Sequence, residues 1–130
     1  MAHGSRQIEA KFHKHLKSFM KDLILVFPED RDVRVMSSSL NIAMLDDPDN
    51  AIINGFYETI RPHEQLVLDK DDAFFYNSPD MVVAKAIPAQ FQLFNKLNIY
   101  WETLNAENRN TVWTYFQLLY CLAKGFVEAV

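Results

Sequence analysis

The chain is predicted to be an all-α compact bundle of five to six helices in one domain spanning residues 1–130, and three observations carry that prediction. Apolar residues recur at intervals of three and four along most of the chain. Only three glycines occur in 130 residues, too few for the repeated tight turns of an all-β fold. Hydrophobic residues make up 49% and charged residues 23%, so a single core of ordinary domain size has enough apolar area to offset the entropy of ordering the chain.

The first helix is read from Gln7 to Phe27, with Ile8, Phe12, Leu16, Phe19, Met20, Leu23 and Phe27 on one stripe. Ser5 is its expected cap, and Pro28 ends it because the pyrrolidine ring disfavours helical geometry in the preceding residue. A second helix follows the acidic entry Glu29, Asp30 and Asp32, carries Val33, Met36, Leu40 and Met44, and ends near Asp46. Pro48 is expected at the first position of a third helix, which continues through Ile52, Ile53, Phe56, Tyr57 and Ile60 to Pro62.

From Pro62 two readings compete. One is a short helix through Leu68; the other is a hairpin whose arms, Leu66–Leu68 and Phe74–Tyr76, flank the polar stretch Asp69–Asp72. The helix is favoured, and residues 62–88 are expected to hold most of the irregular structure. Asn77, Ser78, Pro79 and Asp80 spell a loop, and Pro88 a boundary or kink. Beyond it, Phe91, Phe94, Leu97, Trp101 and Leu104 form a helical seam. Asn105 then caps a final helix from Ala106 to Val127. That helix is apolar nearly all round, which predicts either the central helix of the bundle or half of a subunit interface.

Charge is unevenly spread over a net of -4. Residues 1–27 carry five basic against two acidic side chains, residues 28–80 four against twelve, and the remainder four against three. Lys11, Lys14, Lys17 and Lys21 share about a third of the first helix's circumference, a basic ridge that could meet phosphates or an acidic surface. No aromatic residues interleave with these lysines, and the net charge opposes nucleic acid, so a solvated face is the preferred reading.

No enzyme signature is present. Ser37, Ser38 and Ser39 lack the glycine elbow of a serine nucleophile and are read as small residues that let a neighbour pack closely. Glycine loops for phosphate or dinucleotide binding are missing. His13 and His15 stand two apart and diverge by about 200 degrees on a helix, so they do not share a metal. Asp47, Asp49 and Glu58 mimic a calcium loop in part, but Ile52 stands where the turn glycine belongs and Ala51 where a ligand does. Neither a cofactor nor a metal is expected.

Cys121 lies in the apolar run Phe116–Ala123, which predicts a buried, inert thiol and fits a reducing, intracellular compartment. No segment has the uninterrupted apolar length of a membrane span. The aromatic residues Trp101, Trp113, Tyr115, Tyr120 and Phe126 crowd the last thirty positions; a core role is the default for most of them, and any surplus of large rings over what one core can hide makes an exposed patch, which gives this set as the candidate partner-binding residues. The function expected from these features is a non-enzymatic protein-interaction or assembly module. The alternatives are a nucleic-acid-associated factor using the lysine ridge, or a small ligand-binding protein.

Three segments carry a resemblance: Phe19-Met20-Lys21-Asp22-Leu23-Ile24-Leu25-Val26-Phe27-Pro28, Asp72-Ala73-Phe74-Phe75-Tyr76-Asn77, and Asn110-Thr111-Val112-Trp113-Thr114-Tyr115-Phe116-Gln117-Leu118-Leu119-Tyr120. In these the chain resembles short, largely uncharacterised helical proteins of large nucleocytoplasmic DNA viruses of algae and amoebae. The resemblance implies a viral origin, a place in the host cell or virion, and a helical structural or interaction role such as a minor virion component. It implies no functional residues.

Overall fold

The computed structural model describes residues 2–76, 93 and 96–129, and no strand occurs among them. Helix α1 (Ala2–Val26) buries Phe12, Leu16, Phe19, Met20 and Leu23 along one stripe. It starts well before Gln7, with Ser5 inside it instead of capping it; Gly4 weakens that first turn without breaking it. The expected stop at Phe27-Pro28 holds, and Phe27 N–H closes the last turn on Leu23 O at 2.9 Å.

Helix α2 (Arg31–Leu45) is capped by Asp30, whose carboxylate accepts from the backbone N–H groups of Asp32 at 2.8 Å and Val33 at 3.3 Å. It buries only Val33, Met36 and Leu40. Helix α3 (Ala51–Ile60) begins three residues later than Pro48. Pro48 instead sits in a turn closed by Asn50 N–H on Asp47 O at 3.1 Å, a place where its fixed φ suits the second position. The Asp47 carboxylate then reaches past the turn to accept from Ala51 N–H at 2.9 Å and Ile52 N–H at 3.2 Å.

A 3₁₀ turn (Arg61–His63), α4 (Glu64–Leu68) and α5 (Ala73–Tyr76) follow, so the helix reading prevails over the hairpin. Residues 61–76 are therefore less irregular than expected. A hairpin would place the arms side by side; here Phe74 and Phe75 instead turn into the core, which needs a helical turn. The Asn77–Asp80 loop, the Pro88 boundary, Phe91 and Phe94 lie outside the described residues. Helical residues 96–100 lead into a second 3₁₀ turn (Trp101–Thr103), and Asn105 caps α6 (Ala106–Ala129) by accepting from Asn108 N–H at 2.8 Å.

The last helix is the central one. Of its two predicted roles, α6 takes the first: it packs against α1, α3 and α4 and buries Val112, Trp113, Phe116, Leu119, Tyr120, Ala123 and Phe126. Three neighbours explain why its apolar residues spread over so wide an arc. At about 1.5–3 kcal/mol for each large side chain removed from water, this helix organises the core. Several polar bonds pin it, among them Tyr115 donating to Asp22 of α1 at 2.7 Å and Tyr120 to Glu64 of α4 at 2.9 Å. Cys121 is exposed and not buried, because it falls on the outward side of α6 between the buried positions Tyr120 and Ala123. Among the described residues no helix is long and apolar enough to cross a membrane.

Candidate functional site

The five rings expected to meet a partner face inward. Trp101, Trp113, Tyr120 and Phe126 are 0–4% exposed, and half-buried Tyr115 spends its hydroxyl on Asp22. Trp101 stacks on Phe75 at 4.1 Å between ring centroids, Trp113 meets Trp101 edge-on at 5.4 Å, and Phe74 and Phe75 complete the cluster. Arg109 closes its rim, 5.4 Å over the Trp101 ring and 3.3 Å from Asp72. Composition alone counted these rings as a surplus. The short helix α5 supplies partners for Trp101 and Trp113, while Tyr57 of α3 stacks on Tyr120 and Phe19 of α1 packs on Tyr115, so these rings belong to the core, and the surplus expected to form a surface patch there is corrected.

The lysine ridge stays on the surface. Lys11, Lys14, Lys17 and Lys21 are all exposed, and none makes an ion pair among the described residues. Lys14, Lys17 and Lys21 border a shallow groove of about 530 Å³ with His13 and Ser18.

An apolar face appears where the sequence reading placed none, on α2. Val35, Ile42 and Leu45 are 48%, 69% and 84% exposed. At 100 degrees per residue they fall with Arg31, Ser38 and Ser39 on one side of α2, turned away from buried Val33, Met36 and Leu40, and exposed Asp46, the non-helical residue after Leu45, follows at its end. A groove of about 390 Å³ runs along it past Arg31, Arg34, Val35, Ser38, Ser39 and Ile42. The face has a sequence symmetry about the point between Ser38 and Ser39: Val35 mirrors Ile42, and Arg31 mirrors Asp46. Its signal was legible in the spacing of Val35, Ile42 and Leu45, but a helix with two apolar sides reads like any core helix until the neighbours are placed.

Polar clusters elsewhere join elements in pairs. Asp30 accepts from Tyr100 and, at 3.1 Å, from Lys96, which also reaches Asp32 at 3.1 Å. The Tyr100 hydroxyl is the chief reason that the Asp30 carboxyl is held down to about 2, with Lys96 and the backbone N–H groups of Asp32 and Val33 adding to it against the cost of desolvation. Lys124 and Tyr120 converge on Glu64 at 3.1 and 2.9 Å. These are staples between distant segments.

A third cluster leaves one histidine nitrogen without a partner among the described residues. Glu9 and His13, one turn apart on α1, meet Asp47 of the α2–α3 turn, with one ligand-type atom from each lying within 4.8 Å of the others. Burial pushes the Glu9 carboxyl up and the Asp47 charge pushes it further, while burial lowers the His13 imidazole against the opposing pull of Asp47. His13 Nε2 is buried with no hydrogen-bond partner among the described residues. Sequence reasoning tested His13 against His15 and Asp47 against its own loop, and so missed a set that only the fold assembles.

No protein-family model matches the chain, and no curated protein or solved structure matches it either.

Proposed function

We propose that the chain is a non-enzymatic helical assembly module that pairs with a second copy of itself through the outer face of α2. The observation that carries this reading is the self-complementary order of Arg31, Val35, Ile42 and Asp46. In an antiparallel pair centred between Ser38 and Ser39, Val35 of each copy lies against Ile42 of the other, and Arg31 against Asp46. The two serines at the crossing point keep the helix axes close, and apolar contacts flank them on both sides. Opposite charges at the ends set register and direction.

Size sets the strength. A 15-residue helix is about 22 Å long, so its face alone buries less than the roughly 800 Å² per partner of a standard stable interface. The expected dimer is therefore weak and concentration-dependent, in the micromolar range or above. The motif resemblance extends the proposal to a minor structural component of a large DNA virus, where many copies at high local concentration would make a weak contact sufficient.

Sedimentation equilibrium over a wide concentration range tests the reading. Ile42→Asp is expected to leave a folded monomer at every concentration. Arg31→Glu and Asp46→Arg should each weaken association at least tenfold, and the double swap should restore it, because the end charges again face their opposites. The swap also suits the helix dipole, so folding is retained. A wild-type chain that stays monomeric at millimolar concentration, or a double swap no better than the single changes, overturns the proposal.

A further inference from the structure

We propose that Glu9, His13 and Asp47 form a binding site for a divalent transition metal of the zinc class, which ties α1 to the α2–α3 turn.

The three side chains reach one place for separate local reasons. Glu9 and His13 are four residues apart on α1, the spacing that stacks two side chains on one side of a helix. The Asp47 carboxylate is pinned by the N–H groups of Ala51 and Ile52, and each of its oxygens keeps a lone pair free for a further contact. Asn50, in the left-handed region at φ 54°, turns its side chain back towards α1. With its amide nitrogen facing Glu9 it donates to the two carboxylate oxygens at 2.7 and 3.2 Å, which orients the Glu9 side chain.

Without an ion the arrangement is costly. Two carboxylates approach one another in a partly buried position, and an imidazole nitrogen in the same cluster has no partner among the described residues. A divalent cation relieves the first penalty by neutralising the two charges, and it takes the lone pair of one imidazole nitrogen of His13. The donor set fits the chemistry: zinc accepts histidine nitrogen and carboxylate oxygen together at about 2.0–2.2 Å. Tetrahedral ligands at that range stand about 3.4 Å apart, so atoms now within 4.8 Å close on the ion by small side-chain rotations. Three protein ligands leave the fourth position to water. The positive end of α3 behind Asp47 opposes the cation and tempers its affinity.

The probes are Zn²⁺ and Co²⁺ alone, added to chelator-stripped full-length protein. Calorimetry is expected to give one Zn²⁺ per chain, with a rise in Tm, and Co²⁺ the visible absorption of a low-symmetry four-coordinate ion. Glu9→Gln and His13→Gln should each weaken Zn²⁺ binding at least tenfold while the circular dichroism stays helical. Asn50→Gly keeps the left-handed backbone but removes the amide, and should weaken binding about tenfold through the orientation of Glu9. Ile42→Asp, which disrupts the proposed dimer contact, should bind Zn²⁺ as the wild type does, so this inference and the assembly reading fail separately. Absence of Zn²⁺ binding below millimolar concentration overturns the site, and so does binding that survives Glu9→Gln and His13→Gln but is lost on changing His15 or His63.

Discussion

The Tyr120 hydroxyl, at the tip of a side chain only 2% exposed, donates to Glu64 at 2.9 Å and so joins the centre of the last helix to the first residue of α4. Tyr57 stacks on the same ring, 5.8 Å between centroids and 6° from parallel. Burial and the Glu64 carboxylate together raise the Tyr120 phenol well above its ordinary value, so it remains a donor throughout the accessible pH range.

Truncating this residue or Trp113 should therefore destabilise the monomer instead of abolishing a contact between chains. Tyr120→Ala and Trp113→Ala are each expected to cost about 3–5 kcal/mol in urea unfolding, the range for emptying a large aromatic site in a close-packed core. Tyr120→Phe keeps the ring and should cost far less. Sedimentation of the fraction that remains folded should show association unchanged.

Acid stability should depend on Asp30. Its carboxyl is held at about 2 in the folded chain, against 3.8 as its ordinary value, first by the Tyr100 hydroxyl and then by Lys96 and the α2 N–H groups. A depressed folded value means that the contribution is fully present above pH 4 and is lost as the pH falls from about 4 to 2. Solvent screening near the surface limits it to about 1 kcal/mol. Urea midpoints measured from pH 7 to pH 2 should fall through that window, and Asp30→Asn should start lower and lose less across it. Equal slopes for the two proteins would refute the assignment.

Cys121 should react as an accessible thiol. One equivalent of a thiol-specific chromogenic reagent is expected to label the native protein without denaturant, because the side chain is on the open side of α6. Labelling that requires unfolding would restore the buried reading drawn from the apolar run around it.

Much of the architecture was legible in the order of apolar residues. The Phe12, Leu16, Phe19, Leu23 stripe, the α2 positions Val33, Met36 and Leu40, and the cap at Asn105 all follow from short-range rules, since a 3.6-residue period decides which side chains share a face. The same rules misjudged Pro48, because Asp47 offered α3 a capping carboxylate from beyond the turn, and misjudged Cys121, because neighbours in sequence are not neighbours around a helix.

By itself the sequence determined the fold class, the long helices and the membership of most of the core, all properties of local periodicity and of total apolar content. Tertiary structure alone decided which apolar surplus stays outside and which polar groups meet. Phe74 and Phe75 of α5 enclose Trp101 and Trp113, whereas Val35, Ile42 and Leu45 of α2 are left exposed. Glu9 and His13 join Asp47 only because α1 passes the α2–α3 turn. The physical reason is common to both: burial and electrostatic coupling depend on distance through space, and for residues tens of positions apart that distance is set by packing and not by order along the chain.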